Sequence, residues 1–349
     1  MNSELELELR SKSGPGPAAG AGFRADAEIG SGADTGSEAD HGSEVGFGSV
    51  AGLGPEAGSH PEAGRVYGCA SAPGLAPAGG LAVTAGISSW VPGDLPLDQV
   101  RKIEDHCVQA WPPDFVQRTA AGWVLRATPG LTGRGRSNHA LAPARVISHD
   151  EYDGALRDAQ LFASRHGIDC GLQIGPASIH GDFLEELGKR GWLVGPEALV
   201  MVADTQAVST SAGKAADEPA GFTLTIDDHA SAAWVKAWRH CDHRADIHEH
   251  VGSVFKRMRD VARFAYWETG AVGISVEIGG IVGLFCLAVA PELRRQGYGK
   301  ALVRELLAGH NAPLTYLQVL GQNTAGRGLY RSLGFQEGYR YRHVMAPEN

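Results

Sequence analysis

Residues 281–310 read IVGLFCLAVAPELRRQGYGKALVRELLAGH, and this stretch decides the fold. Its first nine residues are almost all apolar, the pattern of a strand buried on both faces. A short polar loop follows, then Gly297 and Gly299 one residue apart. After them Leu302, Val303, Leu306 and Leu307 form an apolar stripe at helical spacing, and Gly309 stands where a glycine closes a helix. The two glycines let the backbone turn with its N–H groups converging on one point, at the positive end of a helix dipole. Such a point suits a pyrophosphate. Arg294, Arg295 and Lys300 add matching charge.

Other phosphate loops fail on the same residues. A Walker loop needs glycine at 294 and Ser or Thr at 301, where the chain has Arg294 and Ala301. A dinucleotide fingerprint needs Gly or Ala three residues after Gly299, and Leu302 stands there.

The run Arg294-Arg295-Gln296-Gly297-Tyr298-Gly299 resembles the coenzyme A loop of the GNAT (GCN5-related N-acetyltransferase) family, Arg/Gln-x-x-Gly-x-Gly/Ala. Val289-x-Pro291 just before it is similar too. Farther on, PLTYLQVL reads as a strand, and NTAGRGLYRSLGF resembles the family's segment Asn-x-x-Ala-x-x-Leu-Tyr-x-x-x-Gly-Phe. Asn323, Leu329, Tyr330, Gly334 and Phe335 are in register. Gly326 replaces the family's alanine, and Gly328 is a second helix-weakening residue, at about 1 kcal/mol each. The resemblance covers the chain from about residue 221 to its end.

What the resemblance implies is an α/β protein with a mixed sheet, the GNAT acyl-CoA N-acyltransferase fold. The implied reaction moves an acetyl group from acetyl-CoA, as co-substrate, to a primary amine by direct attack in a ternary complex. Backbone around Leu287 and Val289 would hold the pantetheine arm. The amides and side chains of Arg294, Arg295, Gln296, Gly297, Tyr298, Gly299 and Lys300 would hold the pyrophosphate. Asn323 would hydrogen-bond the coenzyme, and Tyr330 would protonate the departing thiolate. A tyrosine O–H near sulfur stabilises the charge that develops as a thioester collapses. The plainer reading of Tyr330 is an amphipathic core tyrosine.

Two features depart from that picture. Cys286 stands where many relatives carry an acid, and a thiol in an apolar strand reads as packing rather than as a base. Glu268, Glu277 or a histidine acting through water are the remaining candidates. These departures keep a second class in view, a non-catalytic acyl-CoA-binding sensor or regulatory module.

The rest of the 349 residues falls into distinct segments. Residues 1–86 are built from Gly, Ala, Ser, Pro and Glu, too poor in apolar surface to offset the entropy of ordering, so they read as a disordered tail. They hold eleven Asp/Glu against four Lys/Arg, which places −7 of the formal −9 charge in the tail. A near-neutral body lacks the basic face that nucleic-acid binding needs. No apolar run is long enough for a membrane span, and an acidic start unlike a secretory signal leaves the cytoplasm as the expected compartment.

Residues 95–204 read as a mixed α/β unit: a helix ended by Pro112-Pro113, a strand in GWVLRATPG, a helix in EYDGALRDAQLFASRHG, a strand in DCGLQIG, a helix in HGDFLEELGKRG and a strand in ALVMVAD. This order is similar to a GNAT half without the coenzyme motifs, and the unit resembles actinobacterial-type proteins in which a cofactor-free half precedes an active one. It is read as a degenerate half that builds or covers the acceptor site. Residues 205–220 read as a linker, and 221–349 as the acetyltransferase domain. GLTGRGRSN (130–138), with Arg134 and Arg136, is expected to be a flexible hairpin. RHCDHRADIHEH (239–250) brings His240, Cys241, His243, His248 and His250 together, and a pocket-lining loop is favoured over a metal site. The five cysteines are scattered and draw no disulfide framework. No metal is expected, and the partner is a small-molecule or peptide amine.

Overall fold

The structure is a computed structural model describing residues 95–131, 134–211, 219, 223–241, 251–258 and 261–347. The tail read at 1–86 lies outside the described residues, as do His243, His248 and His250.

The first half opens with α1 (Leu97–Ala110), whose Val100, Ile103 and Cys107 turn inward before Pro112 stops it. Strands β1 (Phe115–Arg118) and β2 (Val124–Ala127) form an antiparallel pair. The short helix α2 (Gly135–Asn138) precedes β3 (Ala140–Leu141), α3 (Tyr152–His166) and β4 (Gly171–Ile174). Helix α4 (Ala177–Lys189) and the long β5 (Leu193–Asp204) complete it. Next come α5 (Thr205–Ser209), β6 (Thr225–Asp227), α6 (Ala232–Cys241) and α7 (Val251–Met258). Strands β7 (Ala262–Trp267), β8 (Ala271–Ile278) and β9 (Ile281–Val289) form a meander. Helix α8 (Tyr298–Leu307), β10 (Leu314–Leu320), α9 (Thr324–Ser332) and β11 (Gln336–Met345) end the described chain.

Two expectations change. The GRGR segment is not a free hairpin: residues 135–138 form a helical turn with Gly135, Ser137 and Asn138 buried, because the Asn138 side chain bonds the Thr128 N–H and the Leu131 carbonyl. The segment read as a linker begins as α5, since the Asp204 carboxylate accepts the Ala207 N–H at 2.7 Å and caps it.

All eleven strands form one sheet in the order β1-β2-β3-β4-β11-β5-β10-β9-β8-β7-β6. The order β3-α3-β4-α4-β5 of the first half recurs as β9-α8-β10-α9-β11 in the second, each with a parallel strand pair bridged by a helix. The final strands are exchanged: β11 lies beside β4, and β5 lies beside β10. The two exchanged strands pair with each other at the centre. Successive β5 residues therefore serve both faces. Val200 and Val202 enter the core under α1, α6 and α7, with Trp234, Phe255 and Phe285. Leu199 and Met201 enter the core under α8, with Leu302, Leu306 and Leu317.

Candidate functional site

The sheet opens where β9 and β10 part. Their parallel pairing runs from Ile281 opposite Leu314 to Leu284 opposite Leu317 and stops. Beyond it, Gln318, Val319 and Leu320 stay with β5, while Phe285, Ala288 and Val289 stay with β8. A bulge drives the separation. Between Phe285 and Ala288 β9 advances three residues while β8 moves only from Ile274 to Val272. The extra residue falls at Cys286, which takes φ +52 and is buried. Cys286 is thus the pivot of the split as well as a packed thiol. Leu287 follows, and its side chain lies over Gly273, where any Cβ would come within 2.8 Å of Leu287 Cδ2. Backbone of 285–289 therefore has no β10 neighbour, and Leu287 and Val289 lie on this unpaired stretch.

At the mouth of the split the chain makes a 3-10 turn at Pro291–Leu293 and enters the loop before α8. Arg294 folds back, its Nε donating to the Val289 carbonyl at 3.2 Å. Arg295 (φ +63) and Gly297 (φ +89) are both left-handed, and Gly297 is the N-cap of α8 with no side chain to cap it. Helix α8 starts at this loop, with the positive end of its dipole toward residues 294–297. Gln296 Nε2 donates to the Glu292 carbonyl at 2.9 Å, and the Lys300 N–H bonds Gly297 O at 3.0 Å. The Tyr298 ring turns inward and stacks on Trp267 at 4.7 Å, so its contribution at the loop is its backbone. Gly299 is not a turn residue. It sits in the helix, where a Cβ would lie 2.9 Å from Leu329 Cδ2.

That contact docks α9 on the start of α8. Asn323 caps α9, its Oδ1 accepting the Gly326 N–H at 2.8 Å. A Cβ at Gly326 would lie 2.8 Å from Asn323 Nδ2, which explains glycine where alanine was expected. Tyr330 is half-buried, with its ring against Phe335 and packed on the same core cluster as Leu287 and Leu329.

The base candidates separate by position. Glu277 faces Val282, at the closed end of β9, and is held by His310, whose Nδ1 lies 2.7 Å from Glu277 Oε2. The other His310 nitrogen lies 2.9 Å from Ser275 Oγ. This Ser–His–Glu line has the connectivity of a nucleophile relay, but Ser275 is wholly buried and the line is an interior brace. Glu268 is exposed on the turn at the open end. His240 reaches the turn before α8, its Nε2 2.7 Å from Glu292 Oε1. Cys241 is buried core. Among the described residues no three His, Cys, Asp or Glu side chains are grouped to hold a metal.

On the opposite face of the split lies a group that motif reading missed. Arg136, from α2, donates from Nη2 to Gln318 Oε1, and its guanidinium sits 5.1 Å over the Phe285 ring and 5.6 Å over Trp111. Tyr341 Oη also donates to Gln318 Oε1, at 3.1 Å, and Gln318 Nε2 donates to Cys107 Sγ. Behind them Glu104 accepts the Tyr339 hydroxyl at 2.6 Å, and burial raises its carboxyl above the usual range. The signal in sequence was the arginine-glycine run, but its partner lies 182 residues away.

The first half repeats the strand–helix turn with different residues. Before α3, Glu151 turns its carboxylate onto the Ser148 N–H and hydroxyl at 3.0 and 2.7 Å, and both its oxygens meet Arg145. Arg145 and Ser148 pull this carboxyl down to about 2.

A bulged strand that splits from its parallel neighbour and leads into a glycine-opened helix is the arrangement of the GNAT fold. Comparison with known proteins narrows the class. Residues 98–344 match the family described as "Probable histone acetyltransferase Rv0428c C-terminal", and the chain belongs to that family. It is 26% identical over 248 residues to the uncharacterized N-acetyltransferase YobR of Bacillus subtilis (strain 168), covering 68% of this chain and 95% of that one. A solved GCN5-related N-acetyltransferase from Kribbella flavida shares the fold at 16% identity with a TM-score of 0.52, covering 71% of this chain and 96% of that one.

Proposed function

We propose that this acetyltransferase takes its acetyl group from acetyl-CoA and passes it to a primary amine by direct attack, with both substrates bound. The observation that carries the reading is the split past Leu284 and Leu317, which ends at the left-handed Arg295-Gln296-Gly297 turn. An extended pantetheine arm placed along 285–289 satisfies backbone groups that β10 no longer meets. The pyrophosphate then falls at the N–H groups opening α8, beside Arg294, Arg295 and Lys300. Asn323 Nδ2 is a donor toward the coenzyme, and Tyr330 is the acid for the departing thiolate.

The first half is a degenerate GNAT-like unit without coenzyme. Just before its helix, the Glu151 carboxylate is held by Ser148 and Arg145, and the glycine loop of the second half has no counterpart there. Its role is to close the acceptor side of the split. The family's description as a probable histone acetyltransferase supports a protein amine as one class of acceptor.

The test is calorimetry with CoA and acetyl-CoA, followed by thiol release with a panel of amines. Saturable binding and amine-dependent thiol release support the reading. Binding without turnover, unchanged in Tyr330→Phe, would indicate a sensor, which the thiol of Cys286 in place of an acid favours. No binding at all removes the coenzyme assignment.

A further inference from the structure

The loop before α8 leaves the sheet at Val289 and returns to it at Tyr298, and both residues lie in one small apolar cluster with Ala271. Trp267 and Leu293 pack against that cluster. Three strands end side by side here, Trp267 on β7 paired with Ala271 on β8, and Ala271 with Val289 on β9. Over this edge the Tyr298 ring lies on the Trp267 ring, with centroids 4.7 Å apart and planes 23° from parallel. Tyr298 is the first residue of α8 and directly follows the left-handed Gly297, so the stack ties the start of the helix to β7.

The same turn holds the other end of the loop. The Gly270 carbonyl accepts the Ala290 N–H at 2.8 Å. Gly270 has φ +129, and a Cβ there would lie 2.5 Å from Ala290 Cβ and 3.3 Å from Leu293 Cδ1, so the position requires glycine. His240 closes on the turn from α6, its Cδ2 3.1 Å from that Cβ position.

We propose that the β7–β8 turn is the template on which the coenzyme loop is shaped, and that Trp267 is a positioning residue for coenzyme binding. It acts through Tyr298 rather than by touching the ligand. The proposal rests on the coenzyme reading above and adds a residue that lies outside both sequence motifs. Main-chain N–H groups bind an anion tightly when they are aimed before it arrives. The loop carries two left-handed residues, Arg295 and Gly297, and the non-glycine one persists only where its surroundings hold it. The ring stack and the Gly270 bond supply that hold, one at each end.

The experiment compares the parent with Trp267→Leu, Trp267→Phe, Tyr298→Leu and the double variant Trp267→Leu with Tyr298→Leu. Calorimetry with CoA gives affinity, and amide hydrogen exchange without ligand gives loop order. Trp267→Leu keeps an apolar side chain but removes the stacking ring, and should raise the Kd for CoA by about tenfold. Trp267→Phe keeps a ring and should stay within about threefold. Tyr298→Leu should match Trp267→Leu, and the double variant should be within about twofold of either, because all three remove one contact. In Trp267→Leu, peptides over residues 290–299 should exchange at least about fivefold faster, while those over 272–285 keep the parental rate.

Unchanged CoA affinity in Trp267→Leu overturns the proposal, as do losses that multiply in the double variant. Faster exchange throughout the sheet also overturns it, since Trp267 would then serve general stability. Should Trp267→Leu fail to fold, Tyr298→Leu carries both readings. If the parent itself binds no CoA, the coenzyme reading falls, and exchange decides the template. Acceleration confined to 290–299 then supports it, and parental rates there overturn it.

Discussion

A Cβ placed on Gly299 would lie 2.9 Å from Leu329 Cδ2, so the second glycine of the loop motif serves helix packing rather than the turn. Its backbone is already helical. The close approach seats α9, and with it Asn323 and Tyr330, beside the loop. Gly299→Ala should stay within about 1 kcal/mol of the parent, because the leucine tip can swing and alanine favours the helix. Gly299→Val should cost about 2 kcal/mol through overpacking and weaken coenzyme binding as α9 is pushed away. Adding Leu329→Ala to Gly299→Val should restore at least part of both. Urea denaturation and calorimetry report the two effects, and an unrescued double variant would rule out the packing account.

Gly297 is the contrasting case. Its φ of +89 is a conformation that L side chains rarely adopt, so Gly297→Ala should cost about 1 kcal/mol or more and distort the anion site. Leu329→Ala should give no rescue here. Equal rescue at both glycines would show that one mechanism, not two, underlies the motif.

Much of this was legible because the signals were local. The buried run of β9, the glycine loop and the stripe of α8 lie within thirty residues and imply one another. The elements that escaped were those whose reasons lie far away in sequence. Strand β11, QEGYRYRHVM, mixes Tyr and Arg without an aliphatic stripe, and its Tyr339 and Tyr341 are buried only because α1 and β10 bring Glu104 and Gln318 to meet them. Strand β1 is exposed along its whole length and so carries no alternation to read. Arg136 reads as a loop cation until the fold carries Phe285 beneath it. The glycine pair was visible, but its division of labour was not, because Leu329 lies thirty residues on.

Tyr330 has both a chemical and a packing reading, and kinetics separate them. As the thiolate's acid, Tyr330→Phe should lower kcat by about a hundredfold or more with coenzyme affinity unchanged. As a packing residue against Phe335, the same change keeps the ring and should leave kcat nearly intact. Stopped-flow thiol release in both proteins gives the answer.

Two histidines set an acid limit on stability. His106, 2.9 Å from the Tyr316 hydroxyl, and His139, 3.0 Å from His343, are buried, and desolvation lowers their pKa values to about 4 and about 3. The unfolded chain protonates these rings near the ordinary value of about 6.5 while the folded chain does not. Between that value and the folded pKa values, the unfolded state binds more protons, so stability must fall as pH drops from about 6.5 toward 4. Thermal melts across that range should show a steadily falling Tm, and His106→Asn should flatten part of the slope. A flat profile over the same interval would contradict burial of the neutral rings.

The strand exchange makes the two halves conditional on each other. Without β5, the second half would leave β10 and β11 with no strand between them, and its cores would lose Leu199 and Met201 on one face and Val200 and Val202 on the other. Each such side chain contributes about 1.5–3 kcal/mol, so the loss exceeds what a small domain can spare. The first half without β11 loses the strand between β4 and β5 in the same way. Polypeptides spanning 95–211 and 212–349 should each fail to unfold cooperatively when made alone. Produced together they should recover one 1:1 complex, because the exchanged strands rather than the intervening peptide join the halves. A 212–349 polypeptide that melts cooperatively as a monomer and binds CoA would show that the second half completes its sheet without β5.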